Sequence, residues 1–183
     1  MRVTREELIA LLGARDPLRV ARLVPPPPPE VTWTRAPAPD GWLVDGDEEG
    51  PVEAHRRAHR SGAPSEATVR YGAGTADAAV ADRLLALAAL SAETGLLRAV
   101  TAVPGEGSAA RPGSWGVEDL TVVAAARLVL PGVPWIRPDW RRLGPATAQV
   151  ALAFGATDWV IPPDDDTDPE PLAAAVGRRA VRR

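Results

Sequence analysis

The sequence of 183 residues contains no cysteine. This chain therefore supplies no disulfide, no thiolate ligand for zinc or an iron–sulfur cluster, and no cysteine nucleophile. It also lacks an excess of positive charge, because 24 acidic residues outnumber 21 basic ones and the net charge is −3. Sequence-independent binding of nucleic acid needs a broad positive field, so we expect no nucleic acid partner.

Long apolar runs are also missing. No run approaches the roughly 18 residues of a membrane span, and the N-terminus lacks the apolar core of a signal peptide. We expect a cytoplasmic protein without membrane contact.

Short apolar runs alternate with helix-like segments over most of the chain. Strand patterns occur at 31–35, 42–44, 67–71, 97–103, 133–137 and 159–161, and helix signals at 51–60, 80–95, 117–130 and 145–155. Such alternation requires parallel strands joined by right-handed crossovers. We predict an α/β fold with about five βα units plus an isolated strand near the start. A closed TIM barrel needs eight strands and typically about 250 residues. We therefore expect a partial, incomplete TIM-type β/α barrel.

The partial barrel is predicted to cover residues 31–163. Residues 1–30 precede it as an N-terminal helical segment, with a capping box at Thr4 and Glu7, and a spacer of five prolines at 25–29. A stiff linker is favoured for this proline run over a ligand for a proline-binding module. Residues 164–183 are predicted as an acidic loop and a short C-terminal helix. The last turn of that helix would carry arginines that suit its dipole or contact an acidic partner: Arg178, Arg179, Arg182 and Arg183.

Several short motifs follow one another with near-constant spacing between residues 52 and 158. They are His55-Arg-Arg-Ala-His59, Ala67-Thr-Val-Arg-Tyr-Gly72, Glu93-Thr-Gly95, Gly116-Val-Glu-Asp-Leu120, Ala125-Ala-Arg-Leu128, Trp140-Arg-Arg-Leu-Gly-Pro145, Ala148-Gln-Val-Ala-Leu152 and Phe154-Gly-Ala-Thr-Asp158. Together they resemble the C-terminal half of the radical SAM enzymes of the futalosine route to menaquinone. By this resemblance the nearest relatives are aminofutalosine synthase and dehypoxanthine futalosine cyclase, with the FO synthase subunits more distant.

The cluster-binding part of that family is absent. In the family, a CxxxCxxC loop after the first strand holds a [4Fe–4S] cluster whose open iron binds S-adenosylmethionine. Here the sequence passes from Trp33 almost directly to Trp42, and the next two or three βα units are missing. The resemblance therefore implies no cofactor in this chain and no stand-alone radical SAM activity. It also shows Ala73 where the family tends to carry His, so an imidazole that can donate or accept is lost.

Polar residues fall near the carboxyl ends of predicted strands, the face that carries the chemistry in β/α barrels. The candidate substrate-binding residues are Tyr71, Arg98, Arg137, Asp139 and Asp158. Arg137 is suited to clamping a carboxylate, and Asp158 to holding a ribose hydroxyl of a nucleoside-type small molecule. The favoured alternative is that opposite charges inside the half-barrel neutralise one another. No catalytic residue is assigned.

His55 and His59 are a weak candidate for a metal site, because they lie four apart on one helical face with Glu53 nearby. No third ligand follows in the usual HExxH arrangement, so packing or surface roles are favoured. The loop at 104–115 carries Gly105, Gly107 and Gly113 but no phosphate-binding glycine motif, and it is predicted to be flexible.

Open strand edges and tryptophans near one barrel end need a cover to prevent aggregation. The tryptophans concerned are Trp115, Trp135, Trp140 and Trp159. We therefore expect a truncated, non-catalytic paralogue, a pseudoenzyme that acts as a homo-oligomer or with a full-length radical SAM relative. The alternative is an enzyme or enzyme subunit of the futalosine menaquinone pathway, with the [4Fe–4S] cluster and S-adenosylmethionine supplied by another chain.

Overall fold

A computed structural model describes residues 3–35, 38–46, 48–107 and 112–183. Helices and strands alternate along most of this part of the chain. The helices are α1 (Arg5–Gly13), α2 (Pro17–Ala21), α3 (Val52–Arg60), α4 (Asp77–Thr94), α5 (Gly116–Val129), α6 (Trp140–Ala151) and α7 (Pro169–Ala174). The strands are β1 (Glu30–Thr34), β2 (Leu43–Val44), β3 (Ser65–Tyr71), β4 (Leu97–Pro104), β5 (Trp135–Pro138), β6 (Asp158–Val160) and β7 (Arg179–Arg182). None of the described helices is long and apolar enough to cross a membrane.

The strands form two sheets, in the orders β6-β1-β7 and β2-β3-β4-β5, and every pairing is parallel. The two sheets meet between β6 and β5, where the Thr157 N–H donates to the Ile136 carbonyl at 3.0 Å. The outer strands β7 and β2 do not pair with each other in the described part of the chain. These features confirm the predicted α/β fold and fit an incomplete barrel.

Side chains alternate between a helix-covered face and the barrel interior. Val31, Val69 and Ile136 are fully buried beneath the helices. Helix α5 has an unbroken buried run from Thr121 to Ala126, because β4 and β5 pack against one side of it and α1 and α2 against the other. The N-terminal helices therefore cover the helical layer, and the capping box between Thr4 and Glu7 is confirmed.

The prediction of a C-terminal helix carrying the four arginines is wrong. Helix α7 ends at Ala174, and Arg179–Arg182 form β7, which pairs with β1 in the register Val31 to Ala180. Residues 164–183 thus add a strand to the barrel, and β1 is a central strand rather than an isolated one. The physical reason is that β1, which pairs with β6 on one side, would otherwise leave the other side of its backbone unpaired.

Arg178 also differs from the prediction, because it is buried rather than placed on a helix end. Its guanidinium donates to the carbonyl oxygens of Pro28 and Ala156, both at 2.8 Å. These bonds join the end of the proline run to the segment before β6. The explanation of the arginines by a helix dipole does not hold.

Helix α6 begins five residues before the predicted start at Pro145. Asp139 caps it by accepting from the Arg142 N–H at 3.3 Å. Gly144 then breaks the helix with φ +75° and ψ 169°, and Pro145 begins a second helical segment. Proline fits there because it needs no hydrogen-bonded N–H at the first position of a helix.

The tryptophans divide between exposed and buried positions. Trp115 is 61% exposed, whereas Trp140 is 3% and Trp159 0% exposed. The last two pack edge to face with ring centroids 5.5 Å apart. Trp140 and Trp159 therefore lie in the core and need no cover from another chain.

Glycines allow two loops at the carboxyl ends of β3 and β4 to touch. Gly72 has φ +85°, and a Cβ atom there would lie 2.3 Å from the Gly113 carbonyl oxygen. The Ala73 N–H donates to that same oxygen at 2.7 Å. The described ends of the predicted flexible loop are thus held against β3, and residues 108–111 lie outside the described part.

We expect Gly72→Ala to lower the free energy of unfolding by about 2–4 kcal/mol, because it combines a positive φ with a backbone clash. Gly62→Ala is a matched control, since Gly62 has φ +81° but no atom within 4 Å of a new Cβ. The control is expected to cost only about 1 kcal/mol in urea unfolding. Equal losses for the two variants would contradict the close contact.

Candidate functional site

Four charged side chains form a network in the barrel interior, here called the interior network: Glu66, Arg137, Asp158 and Arg183. Arg137 grips Glu66 through two bonds, Nη1 to Oε2 at 2.7 Å and Nη2 to Oε1 at 3.0 Å. Its Nε donates to Asp158 Oδ2 at 2.5 Å. Arg183 donates to both Asp158 oxygens at 3.1 Å. Two positive and two negative charges therefore balance.

Burial makes this balance necessary. Arg137 is 3% and Asp158 0% exposed. Burial opposes the charged form of Arg137, but its bonds to Glu66 and the charges of Asp158 and Glu66 outweigh burial and raise the Arg137 pKa. The guanidinium stays protonated, and the favoured prediction of mutual neutralisation matches these contacts.

Strand register brings these residues together. Glu66 lies on β3, Arg137 on β5 and Asp158 on β6. Thr32 of β1 is level with Asp158 and donates its hydroxyl to that carboxylate. Sequence analysis missed Glu66 and Arg183. The period of two along β3 contained the signal for Glu66, because it places this residue on the opposite face from buried Val69.

An aromatic stack fills the interior beside the network. Trp135 has Trp42 on one side, with ring centroids 6.1 Å apart and planes 22° apart. The Arg183 guanidinium lies 4.4 Å from the centroid of the same ring. Trp42 precedes β2 and Arg183 follows β7, so groups from the two outer strands meet on one ring.

A cavity of about 720 Å³ opens at the carboxyl ends of the strands, here called the mouth cavity. Residues that follow β2, β5 and β6 line it, together with the interior-facing side chains of Thr68, Thr101 and Arg137. Asp139 and the exposed Arg141 stand at its rim. The size suits a small polar molecule.

Arg35 and Trp140 order one wall of the mouth cavity. Arg35 donates to the carbonyl oxygens of Pro162 and Thr167, both at 3.1 Å, and to that of Asp165. Trp140 Nε1 donates to the Asp165 carboxylate at 2.7 Å. Hydrogen bonds from Thr167 and Trp140 lower the pKa of Asp165 to about 2.

The structure places Tyr71 away from the interior network. Its hydroxyl lies between β3 and α5 and donates to Asp119 Oδ1 at 2.7 Å. Burial, and then the charge of Asp119, raise the Tyr71 pKa well above its ordinary value. Burial also raises the pKa of Asp119. This pair stabilises the strand–helix packing, and sequence analysis missed Asp119.

Of the predicted site residues, only Arg137 and Asp158 touch each other, and Asp139 lies above them at the mouth. Asp139 pairs with Arg142 at 2.8 Å while it caps α6. Arg98 is the second residue of β4, at the amino end of the strand. Its predicted place at the carboxyl face is therefore wrong, because the strand begins at Leu97.

The two histidines have separate partners. His55 Nε2 lies 3.2 Å from Asp45 Oδ2. His59 contacts the hydroxyls of Thr94 and Ser65, each at 2.7 Å, and burial, followed by His55, lowers its pKa. The expected neighbour Glu53 instead pairs with arginines on the exposed side of α3.

Asp45 connects the histidine helix to the sheet. Its carboxylate accepts from the Thr68 N–H at 3.1 Å and from Arg83 Nη2 at 2.8 Å. Burial raises the Asp45 pKa, but the hydrogen bonds, that of His55 first, outweigh burial and lower it. Sequence analysis missed this buried residue, whose partners lie far away in the chain.

The residues present do not fit an iron–sulfur cluster. Such a cluster is held by cysteine thiolates, and the sequence has none. Within the described ranges, no group of three or more His, Asp or Glu side chains is arranged to hold a metal ion. No step through a cluster can therefore be assigned to this chain by itself.

Comparison with known proteins gives three informative relatives. A 5-amino-6-(D-ribitylamino)uracil–L-tyrosine 4-hydroxyphenyl transferase of Archaeoglobus fulgidus is 34% identical over 113 residues, which is 58% of this chain and 33% of the transferase. Aminodeoxyfutalosine synthase of Thermus thermophilus is 36% identical over 118 residues, 60% of this chain and 32% of the synthase. A transferase of the first kind from Methanosphaerula palustris is 35% identical over 116 residues, 58% of this chain and 32% of the transferase. No protein-family model matches.

The chain is a relative of these enzymes. The predicted resemblance to the futalosine-pathway and FO synthase-like enzymes is confirmed. The chain spans about a third of the length of the curated relatives it matches. The FO synthase-like transferase and the aminodeoxyfutalosine synthase are 34% and 36% identical to this chain. These values are too close to support the prediction that the FO synthase subunits are more distant relatives.

We expect Arg137→Ala to lower the free energy of unfolding by about 3–5 kcal/mol, because the buried Glu66 loses its bidentate partner and Asp158 keeps Arg183 as its ion-pair partner. Arg56→Ala is the control, since Arg56 pairs with Glu53 and Glu93 at the surface. The control is expected to cost less than about 1 kcal/mol. Similar losses in urea unfolding would contradict a buried network.

We expect the Asp165 carboxyl to titrate near pH 2 when followed by NMR. Its lowered pKa means that the hydrogen bond from Trp140 is complete above the ordinary value of 3.8 and is lost as the pH falls through about 2. The indole Nε1–H signal of Trp140 should shift with the same midpoint and stay unchanged in Asp165→Asn. A midpoint near the ordinary value would refute this hydrogen bond.

Proposed function

We propose that this chain is a non-catalytic relative of the futalosine-pathway radical SAM enzymes that acts by association with another polypeptide. The observation that carries the proposal is the pair of outer strands, β2 and β7, each of which pairs on one side alone in the described structure. Unpaired strand edges are templates for another chain. Both a second copy and a longer relative fit this role.

The composition of the centre supports a non-catalytic role. The chain contributes no thiolate, and its central arginines already hold carboxylates of the same chain. Binding a substrate there would first break buried ion pairs, which costs several kcal/mol, on the order of 3–5.

Small-molecule binding is the second candidate function, and the mouth cavity favours it. Asp139 and Arg141 at the rim can bond hydroxyl or carbonyl groups. One group of relatives is named for 5-amino-6-(D-ribitylamino)uracil. We propose that this cavity binds a nucleoside-type or ribityl-bearing molecule. The chain would either bind this molecule without reaction or act as an enzyme subunit whose partner chain holds the [4Fe–4S] cluster and S-adenosylmethionine.

Light scattering of the purified chain, together with an anaerobic pull-down from its native cell, tests association. We expect a discrete oligomer or the capture of a longer relative. A stable monomer that captures no specific partner would refute association.

Titration calorimetry with 5-amino-6-(D-ribitylamino)uracil and with futalosine tests the mouth cavity separately. We expect Asp139→Asn to weaken binding by roughly tenfold, because the variant keeps the helix cap but loses the charge. Asp16→Asn is the control, since Asp16 caps α2 and does not line the cavity. Equal binding by both variants would exclude this site.

A further inference from the structure

The described part of the chain supplies seven parallel strands, one fewer than the eight of a closed β/α barrel. We propose that one extended segment of a partner chain, with apolar and acidic side chains in alternation, adds as a strand along β7 in the space between β7 and β2. This inference rests on the proposed association and specifies its mode, which is strand addition.

Backbone geometry leaves the outer side of β7 ready to pair. The Arg179 N–H donates to the Pro29 carbonyl at 2.9 Å, and the Arg183 N–H donates to the Trp33 carbonyl at 3.0 Å. Alternate residues of a strand point their amides to opposite sides. The amides of Ala180 and Arg182 therefore point away from β1, and β7 has no second neighbour in the described structure.

The β2 edge has the same property. Leu43 donates to the Pro64 carbonyl at 3.1 Å and Asp45 to the Glu66 carbonyl at 3.0 Å. The amide of Val44 thus points to the free side. The edges of β2 and β7 border the same interior. Trp42, which precedes β2, stacks on Trp135, and the guanidinium of Arg183, which follows β7, lies over the same Trp135 ring.

Register fixes which side chains the added strand would meet inside the barrel. Val181 is level with Thr32, and Val44 is level with Glu66. Both partners face the interior network, so both valines face inward. Val44 is 48% exposed there. Apolar side chains on the inner face of the added strand would cover it.

The outer face of β7 sets the charge of the partner. Arg182 faces outward, level with Trp33, and its guanidinium lies 5.3 Å from that ring. Two neighbouring arginines already have carboxylate partners: Arg179 pairs with Glu30, and Arg183 pairs with Asp158. Arg182 has no such carboxylate within the described ranges. An acidic side chain beside Arg182 would supply it.

The test uses a capped hexapeptide of alternating valine and glutamate as the probe. Amide hydrogen exchange, followed residue by residue by NMR, should slow at Ala180 and Arg182 when the peptide is added to the full chain. A matched peptide with lysine in place of glutamate should bind roughly tenfold more weakly, because like charges then meet at Arg182. Absence of protection at millimolar glutamate peptide would overturn the inference.

Two variants make the test specific. Ala180→Pro removes one outward amide and leaves the hydrogen bonds to β1 in place. Edge strands tolerate proline at positions whose amide points away from the neighbouring strand. This variant should leave the circular dichroism spectrum unchanged and weaken the binding of the glutamate peptide roughly tenfold. Arg182→Ala keeps the amide and should lose the preference for glutamate over lysine. Unchanged binding by a folded Ala180→Pro would overturn strand addition.

These outcomes separate the inference from the proposed function. If Ala180→Pro leaves the oligomer or the captured partner unchanged, association stands and occurs at another surface. If the wild-type chain is a monomer without a specific partner but binds the peptide at β7, association fails while the edge remains competent to bind a strand.

Discussion

The interior of this partial barrel depends on the ion pairs of one arginine. Arg137 joins β3 to β6 through Glu66 and Asp158. A buried ion pair offers little net stability over a well-packed apolar core, but the loss of one partner is costly. Arg137 thus holds Glu66 of β3 and Asp158 of β6 around one guanidinium group. This matters in an open barrel, where the absent wall gives no restraint on strand position.

The second constraint is the backbone of β1. A parallel strand in the middle of a barrel needs neighbours on both sides. The closing strand β6 pairs on one side, and β7 takes the other. Arg183 then reaches inward to Asp158 and covers Trp135. A short C-terminal strand thus supplies hydrogen-bond partners for the backbone of β1. The residue that follows it, Arg183, supplies the second positive charge of the interior network.

Local patterns predicted most of the fold because they are properties of neighbouring residues. The apolar spacing along α4 and α5 and the buried run of β3 need no knowledge of distant partners. The strand at Arg179–Arg182 was missed because its conformation is set by an edge about 150 residues away in sequence. The candidate site was predicted only in part, because its residues come from strands that are distant in sequence. Arg137 and Asp158 could be named from the strand patterns. The period of two along β3 places Glu66 on the interior face but does not pair it with Arg137, and the place of Arg183 depends on the pairing of β7 with β1.

Separate parts of the molecule are therefore available for structure and for binding. The central arginines are committed to carboxylates, so a ligand in the mouth cavity would rely on rim groups such as Asp139 and Arg141. A protein partner would rely on the outward amides and on Arg182, whose charge no carboxylate in the described ranges offsets. Because the central charges already have partners, we expect recognition at the mouth and at the strand edges, where polar groups gain partners without breaking buried bonds.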